Sequence, residues 1–189
     1  MKKSTIIFII ALAVLTGVRI FIGMNIPIRI VPNAIHDDVW MVYAANLKTH
    51  FAVPDNLSLI KTMSFPVFLQ VVNILYIPLR LAITLLWIVA AGLTTLFVCR
   101  LTKNAVLITA VYAFVLYCPA AFEAQIGVRL YRNMIIAPAV FIVLALLLLM
   151  AHFIIFRRGG AVKGFVLSAL LGFALQNIIK SVAKPSMTI

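Results

Sequence analysis

Long apolar runs separated by short polar segments make up most of the chain. Four runs have the length of a membrane-crossing helix, and a fifth, weaker run follows; they cover residues 4–24, 81–99, 104–122, 134–156 and 164–182. A helix needs about 20 mainly apolar residues to cross the hydrocarbon core of a bilayer. The pattern therefore predicts an all-α integral membrane protein, a single membrane domain with about five transmembrane helices.

The segment 25–80 is different and is predicted to be a long outer loop carrying interfacial helices. Apolar residues recur at helical spacing in it, at Trp40, Tyr43, Ala44 and Leu47. This spacing predicts a short helix over 39–50 that lies against the membrane. A second apolar stretch, 62–79, is interrupted by Pro66, Gln70 and Asn73. It either lies in the interface, which gives five spans, or crosses the membrane, which gives six.

The distribution of positive charge favours five spans. With 62–79 in the interface, the cytoplasmic segments hold seven cations and no acid: Lys2, Lys3, Arg100, Lys103, Arg157, Arg158 and Lys163. Cytoplasmic loops carry an excess of Lys and Arg, so this arrangement predicts a cytoplasmic N-terminus. We expect the membrane to be the bacterial cytoplasmic (inner) membrane. Arg19, near the outer end of the first run, is then expected to extend its side chain to the interface.

The composition agrees with a lipid environment and argues against nucleic acid as a partner. The 189 residues are 65% hydrophobic and 11% charged, whereas soluble domains carry about 25% charged residues. The formal net charge of +12 would suggest nucleic acid in a soluble protein. Here the cations stand singly or in pairs between apolar runs, where they fix topology or contact lipid phosphates. The predicted partner is the lipid bilayer, and nucleic acid is excluded.

With five spans, the predicted outer face gathers most of the remaining charged side chains. They are His36, Asp37, Asp38, Asp55, Lys61, Arg80, Glu123, Arg129 and Arg132. Cations on this side run against the usual bias, and a phosphate or diphosphate of a lipid-linked substrate would explain them. They could equally pair with lipid headgroups or with the acids, and that interpretation stays open.

The adjacent carboxylates of Asp37 and Asp38 are the strongest candidates for chemistry. A carboxylate at the membrane surface can act as a general base on an attacking hydroxyl, while its neighbour orients the substrate or a cation. Asp38 also directly precedes the predicted helix 39–50 and could simply cap it, but capping accounts for one aspartate and not two. The few His and Cys residues show no metal-ligand spacing. No cofactor or metal site is indicated, and a divalent metal stays open.

Four segments, taken in order, resemble the GT-C superfamily of membrane glycosyltransferases, which includes the protein O-mannosyltransferases and the aminoarabinose transferase acting on lipid A. HDDVWMVYAANL (36–47) looks like the acidic motif and its following helix. Lys61 with SFPVFLQVVNIL (64–75) looks like the basic residue and second interfacial helix. IPLRLAITLLWIVAAGLTTLFVCRL (77–101), which includes Arg80, looks like the entry into the second span, and VRLYRN (128–133) sits at the next outer loop.

The resemblance implies a function and a role for each candidate residue. Asp37 or Asp38 would be the catalytic base. The phosphate of a sugar-carrying polyprenyl phosphate would be bound by Lys61, Arg80, Arg129 and Arg132, with His36 and Glu123 as further site residues. Members of the superfamily usually have eight or more spans, so the chain is expected to correspond to the N-terminal portion of such an enzyme, with a partner membrane subunit as one way to complete it. The alternative is a non-catalytic membrane subunit or a remnant without enzyme activity; a small transporter is less favoured, because the polar residues cluster at one surface.

Overall fold

The computed structural model describes residues 3–28, 64–123, 128, 130, 133–156 and 172. These residues form helices and no strand, so the predicted all-α class is confirmed for this part of the chain. The α-helices are α1 (Lys3–Asn25), α2 (Ser64–Ile74), α3 (Leu79–Leu101), α4 (Ala105–Leu116) and α5 (Asn133–Phe156), with a short 3₁₀ turn at Pro119–Ala121. The predicted helix 39–50 and the predicted span 164–182 lie outside the described residues, apart from Gly172.

Three of these helices, α1, α3 and α5, are long and apolar enough to cross a membrane. They occupy the predicted runs 4–24, 81–99 and 134–156 almost end to end. Large apolar side chains are exposed along them, such as Ile7 and Phe21 on α1. Outward-facing apolar side chains are what a helix needs where lipid replaces water as its solvent.

The other two helices, α2 and α4, are shorter. The α2 helix has 11 residues, or about 16 Å at the rise of an α-helix, which is well short of the roughly 30 Å of a hydrocarbon core. In α4 the helix stops at Leu116, although the predicted run continued to residue 122. The chain then turns through Tyr117 and Cys118 into the 3₁₀ turn at Pro119.

The ends of α1 and α4 meet the beginnings of α3 and α5 at one end of the bundle. There, Phe65 of α2 packs with Ile83 and Trp87 of α3 and with Met134 of α5. A second cluster nearer the middle joins α3 to α4 through Ala90, Ala91, Tyr112, Val115 and Leu116. We call the end of the bundle that holds the Phe65 cluster the arginine end, because Arg19 and Arg80 are buried there.

Local sequence explains where several helices begin and turn. Asn104 caps α4, since its side-chain oxygen accepts hydrogen bonds from the backbone N–H groups of Val106 and Leu107 at 3.0 and 3.3 Å. Between α2 and α3, Tyr76 adopts a left-handed backbone with φ 53°. That conformation allows Ile77 N–H to bond back to the carbonyl of Val72 at 3.1 Å and closes the hairpin.

Candidate functional site

Of the predicted site residues, the structure describes Arg80 and Glu123, and both lie at the arginine end. Arg80 is in the first turn of α3 and is buried, with 8% of its surface exposed. Glu123 follows the 3₁₀ turn, where its backbone N–H donates to the carbonyl of Pro119 at 3.1 Å, and its side chain is exposed. The remaining candidates lie outside the described residues: His36, Asp37, Asp38, Lys61, Arg129 and Arg132.

The expectation that Arg19 extends to the interface is wrong. Only 2% of Arg19 is exposed, and its Nε donates a hydrogen bond of 3.0 Å to the backbone carbonyl of Leu116. The last carbonyls of a helix have no partner within the helix and carry the negative end of its dipole. Because α4 ends early at Leu116, its carbonyl is available there, and the side chain of Arg19 turns inward to it.

The Arg19 guanidinium also contacts an aromatic ring. Its central carbon lies 4.7 Å from the centre of the Phe122 ring, within the range of a cation–π interaction. Phe122 directly precedes Glu123, so this contact holds the beginning of the segment 123–132 beside Arg19. The sequence places Arg129 and Arg132 later in that segment.

Arg80 uses a neighbouring helix end in a similar way. One of its terminal amino groups donates to the backbone carbonyl of Pro27, two residues past the end of α1. Arg19 of α1 and Arg80 of α3 are therefore both buried at this end of the bundle.

Gly23 allows the two helices that carry these arginines to approach closely. A Cβ at this position would lie 2.3 Å from Oγ1 of Thr84 and 3.5 Å from Nη1 of Arg19. A side chain there would force the Thr84 hydroxyl or the helices to shift, and glycine leaves this space to the Thr84 hydroxyl and the Arg19 side chain. Thr84 itself is one turn beyond Arg80 on α3 and is buried.

Sequence reasoning missed Arg19 as a site residue, although two signals point to it. An arginine inside an apolar helix is usually paired or functional and seldom incidental. Gly23 follows it by four residues, on the same helical face, and leaves the space into which a long side chain can turn. The apolar pattern did not predict that α4 ends early at Leu116, where the backbone carbonyl becomes available as the hydrogen-bond acceptor for Arg19.

No protein-family model, no curated protein and no solved structure matches this chain.

Proposed function

We propose that the chain is an integral inner-membrane protein with five spans and a cytoplasmic N-terminus, and that it acts as a glycosyltransferase. It would transfer a sugar from a polyprenyl-phosphate donor to an acceptor at the outer face of the membrane. The observation that supports this proposal is the burial of Arg19 and Arg80 at the same end of the bundle. Guanidinium groups bind phosphate through charge and paired hydrogen bonds, so such a place suits a phosphate-linked donor.

The proposed chemistry needs two kinds of group. The acceptor hydroxyl must lose a proton as it attacks the anomeric carbon of the sugar, and Asp37 or Asp38 would accept that proton. The bond from the sugar to the phosphate oxygen breaks, and the phosphate leaves with added negative charge. Fixed cations at that oxygen stabilise the transition state more than the ground state, because the charge develops during the reaction. Arg80 is suited to this second task. Lys61, Arg129 and Arg132 are the further candidates for it that the sequence analysis predicts.

The test is a transfer assay in membranes that contain the chain, with labelled sugars on polyprenyl phosphates as donors. Asp37→Asn and Asp38→Asn keep the shape of the side chain but remove the base, so the responsible substitution should lower turnover by roughly 10²–10⁴-fold. Donor binding should persist in that variant. Lys103→Gln, in the short α3–α4 connection at the opposite end from Arg80, is the matched control and should leave transfer unchanged. Full activity after both aspartates are replaced would refute the catalytic role.

A non-catalytic membrane subunit is the second candidate, and one observation favours it. The hydrogen bonds from Arg19 to Leu116 and from Arg80 to Pro27 both end on backbone carbonyls and join helices. A purely structural role for both arginines would produce these same contacts. Stable insertion of the chain in membranes, with no transfer from any polyprenyl-phosphate donor, would favour the subunit over the enzyme.

A further inference from the structure

We propose that Arg19 is a positioning residue, which fixes to α1 the segment 117–123 that follows α4. We call 117–123 the turn segment; it contains the 3₁₀ turn, ends at the predicted site residue Glu123, and leads along the chain to Arg129. The inference rests on the proposed function only for what these site residues bind. The position of the turn segment is argued from contacts and can be measured without any substrate.

Arg19 contacts the chain on both sides of the 3₁₀ turn at Pro119–Ala121. Before the turn, its Nε donates the hydrogen bond of 3.0 Å to the backbone carbonyl of Leu116. After the turn, its guanidinium carbon lies 4.7 Å from the centre of the Phe122 ring. One side chain of α1 therefore joins the two ends of the turn and sets the direction in which the chain continues toward Glu123.

The turn between these two contacts is held by its own backbone. The N–H of Phe122 donates to the carbonyl of Pro119 at 3.0 Å, and that of Glu123 donates to the same carbonyl at 3.1 Å. At the beginning of the turn segment, the Tyr117 hydroxyl donates to the carbonyl of Leu15 on α1 at 2.7 Å. A turn closed by its own hydrogen bonds keeps its shape, so the contacts with α1 place the whole turn segment and not one residue alone.

The residue after Arg129 packs in the same place as the turn segment. Leu130 and Ala121 are both buried in the cluster around Phe65. The chain therefore leaves this cluster at the turn segment and returns to it at Leu130. Apolar packing of this kind has no preferred direction, whereas the hydrogen bond and the ring contact of Arg19 do. Arg19 thus supplies the directional part of the attachment.

An arginine is an unfavourable residue for a purely structural contact here. Only 2% of Arg19 is exposed, although it lies in one of the helices apolar enough to cross a membrane. Charged side chains in such helices are rare and usually serve a function. An apolar side chain could pack α1 against α4 without removing a charge from water. It could not donate to the Leu116 carbonyl or attract the face of the Phe122 ring, which are the two contacts that place the turn segment.

Hydrogen–deuterium exchange of the purified full chain in detergent measures the position of the turn segment directly. Arg19→Gln should raise the exchange rates of the Phe122 and Glu123 amides by roughly 10- to 100-fold, the loss expected for a hydrogen bond from a charged group. Amides in the middle of α3 should exchange as before. Phe122→Leu removes only the ring contact and should raise the same rates by a smaller factor.

Two further variants separate positioning from a general loss of stability. Arg19→Lys keeps a cation that can donate to the Leu116 carbonyl, so it should restore most of the protection that Arg19→Gln loses. Thr16→Val is the matched control, because it breaks another hydrogen bond between α1 and α4, the one to Tyr112 at 2.6 Å. It should lower the unfolding temperature and leave exchange in the turn segment unchanged.

The link to the proposed function is tested by the kinetics of transfer. Displacement of the turn segment, and with it of Arg129, should raise the KM for the polyprenyl-phosphate donor by up to roughly 100-fold in Arg19→Gln, because small misplacements of binding groups have effects of this size. The KM for the acceptor should stay the same, and Thr16→Val should leave both values unchanged. A raised exchange rate with a normal donor KM would overturn the link between Arg19 and donor binding.

The outcomes keep this proposal apart from the proposed function. Unchanged exchange of the Phe122 amide in a folded Arg19→Gln protein, or an equal increase in Thr16→Val, would overturn the positioning role. If Arg19→Gln does not fold, unchanged exchange in Phe122→Leu would overturn it instead. Exchange that depends on Arg19, with no sugar transfer from any donor, would support the positioning role and contradict the enzyme. Sugar transfer with unchanged exchange in Arg19→Gln would do the reverse.

Discussion

Single polar side chains join helices throughout the described part of the chain. Thr16 of α1 and Tyr112 of α4 are hydrogen-bonded at 2.6 Å through their hydroxyl groups. Thr16 also donates to the carbonyl of Leu12 at 2.8 Å, which uses its one proton, so Tyr112 must be the donor to Thr16. Tyr117 donates to the carbonyl of Leu15 at 2.7 Å. With the bond from Arg19, one face of α1 is fixed to α4 by three hydrogen bonds.

The bond between Thr16 and Tyr112 can be measured with a double-mutant cycle. Thr16→Val and Tyr112→Phe each remove one hydroxyl, and unfolding in detergent should show a coupling free energy of about 0.6 kcal/mol, typical of such bonds between membrane helices. Thr109 is the control, because its hydroxyl bonds within α4 to the carbonyl of Ala105 at 2.8 Å. Thr109→Val combined with Tyr112→Phe should be additive. Equal coupling in both cycles would contradict a specific bond.

Gly23 should tolerate no side chain. In Gly23→Ala the new Cβ meets Thr84 Oγ1 at 2.3 Å, so the Thr84 side chain must rotate or α1 and α3 must move apart. We expect a loss of about 1–3 kcal/mol in the free energy of unfolding, as for other overpacked interiors. Gly17→Ala is the matched control on the same helix, because nothing lies within 4 Å of a Cβ there. It should leave stability unchanged or slightly higher, since Ala favours helix over Gly.

Among the helices, α2 and α3 form a hairpin that is buried on the side toward the bundle and exposed at its tip. The side toward the bundle carries Phe65, which is 0% exposed and stacks against Phe68 with ring centres 6.3 Å apart. The tip carries exposed apolar residues, with Tyr76 at 92% exposure. An apolar tip that is not covered by protein fits a position at the membrane interface, where Tyr is enriched.

Phe65 should therefore matter far more to stability than the tip. Phe65→Ala removes a fully buried ring from the cluster with Trp87 and Met134 and should lower the free energy of unfolding by about 3–5 kcal/mol. Ile74→Ala changes a residue of the same helix that is mostly exposed, and should have little effect in detergent. Similar losses from both substitutions would argue against the packing of α2 on α3 and α5.

The sequence was sufficient to predict the long helices, but it did not predict where α4 ends. Runs of apolar residues define α1, α3 and α5 because length and hydropathy alone decide where a helix can lie in lipid. The run stays largely apolar from Leu116 to Phe122, and although Pro119 signals a helix boundary within it, the pattern does not show that α4 ends already at Leu116. For the same reason it could not predict the inward turn of Arg19, which depends on an acceptor supplied by another helix. Arg80 was singled out from the sequence, but its burial at the same end as Arg19 follows only from the packing of α1 on α3.

At the scale of the whole molecule, the charged side chains that the structure describes divide between the two ends of the bundle. Arg19, Arg80 and Glu123 lie at the arginine end, whereas Arg100 and Lys103 lie at the opposite end, where α3 passes into α4. The predicted topology places the arginine end outside and the other end in the cytoplasm. The orientation itself stays a prediction, since it rests on the bias of Lys and Arg toward cytoplasmic segments.

Labelling of single cysteines tests this orientation. In a background where Cys99 and Cys118 are replaced, cysteines at Asp55 and Gln125 should react with a membrane-impermeant reagent added from outside. A cysteine at Lys163 should react only after the membrane is opened. Labelling of the Gln125 position from the cytoplasmic side alone would refute the five-span topology and would place 62–79 across the membrane.

The early end of α4 also has a consequence for how the chain enters the membrane during synthesis. Its 12 residues reach only about 18 Å, too few to hold a lone helix across the bilayer. Its stable position depends on α3, to which it is joined by the short connection 102–104 and by the cluster around Ala90 and Tyr112. We therefore expect the insertion machinery to keep α3 nearby until α4 has emerged from the ribosome, so that the two helices leave it together as one hairpin.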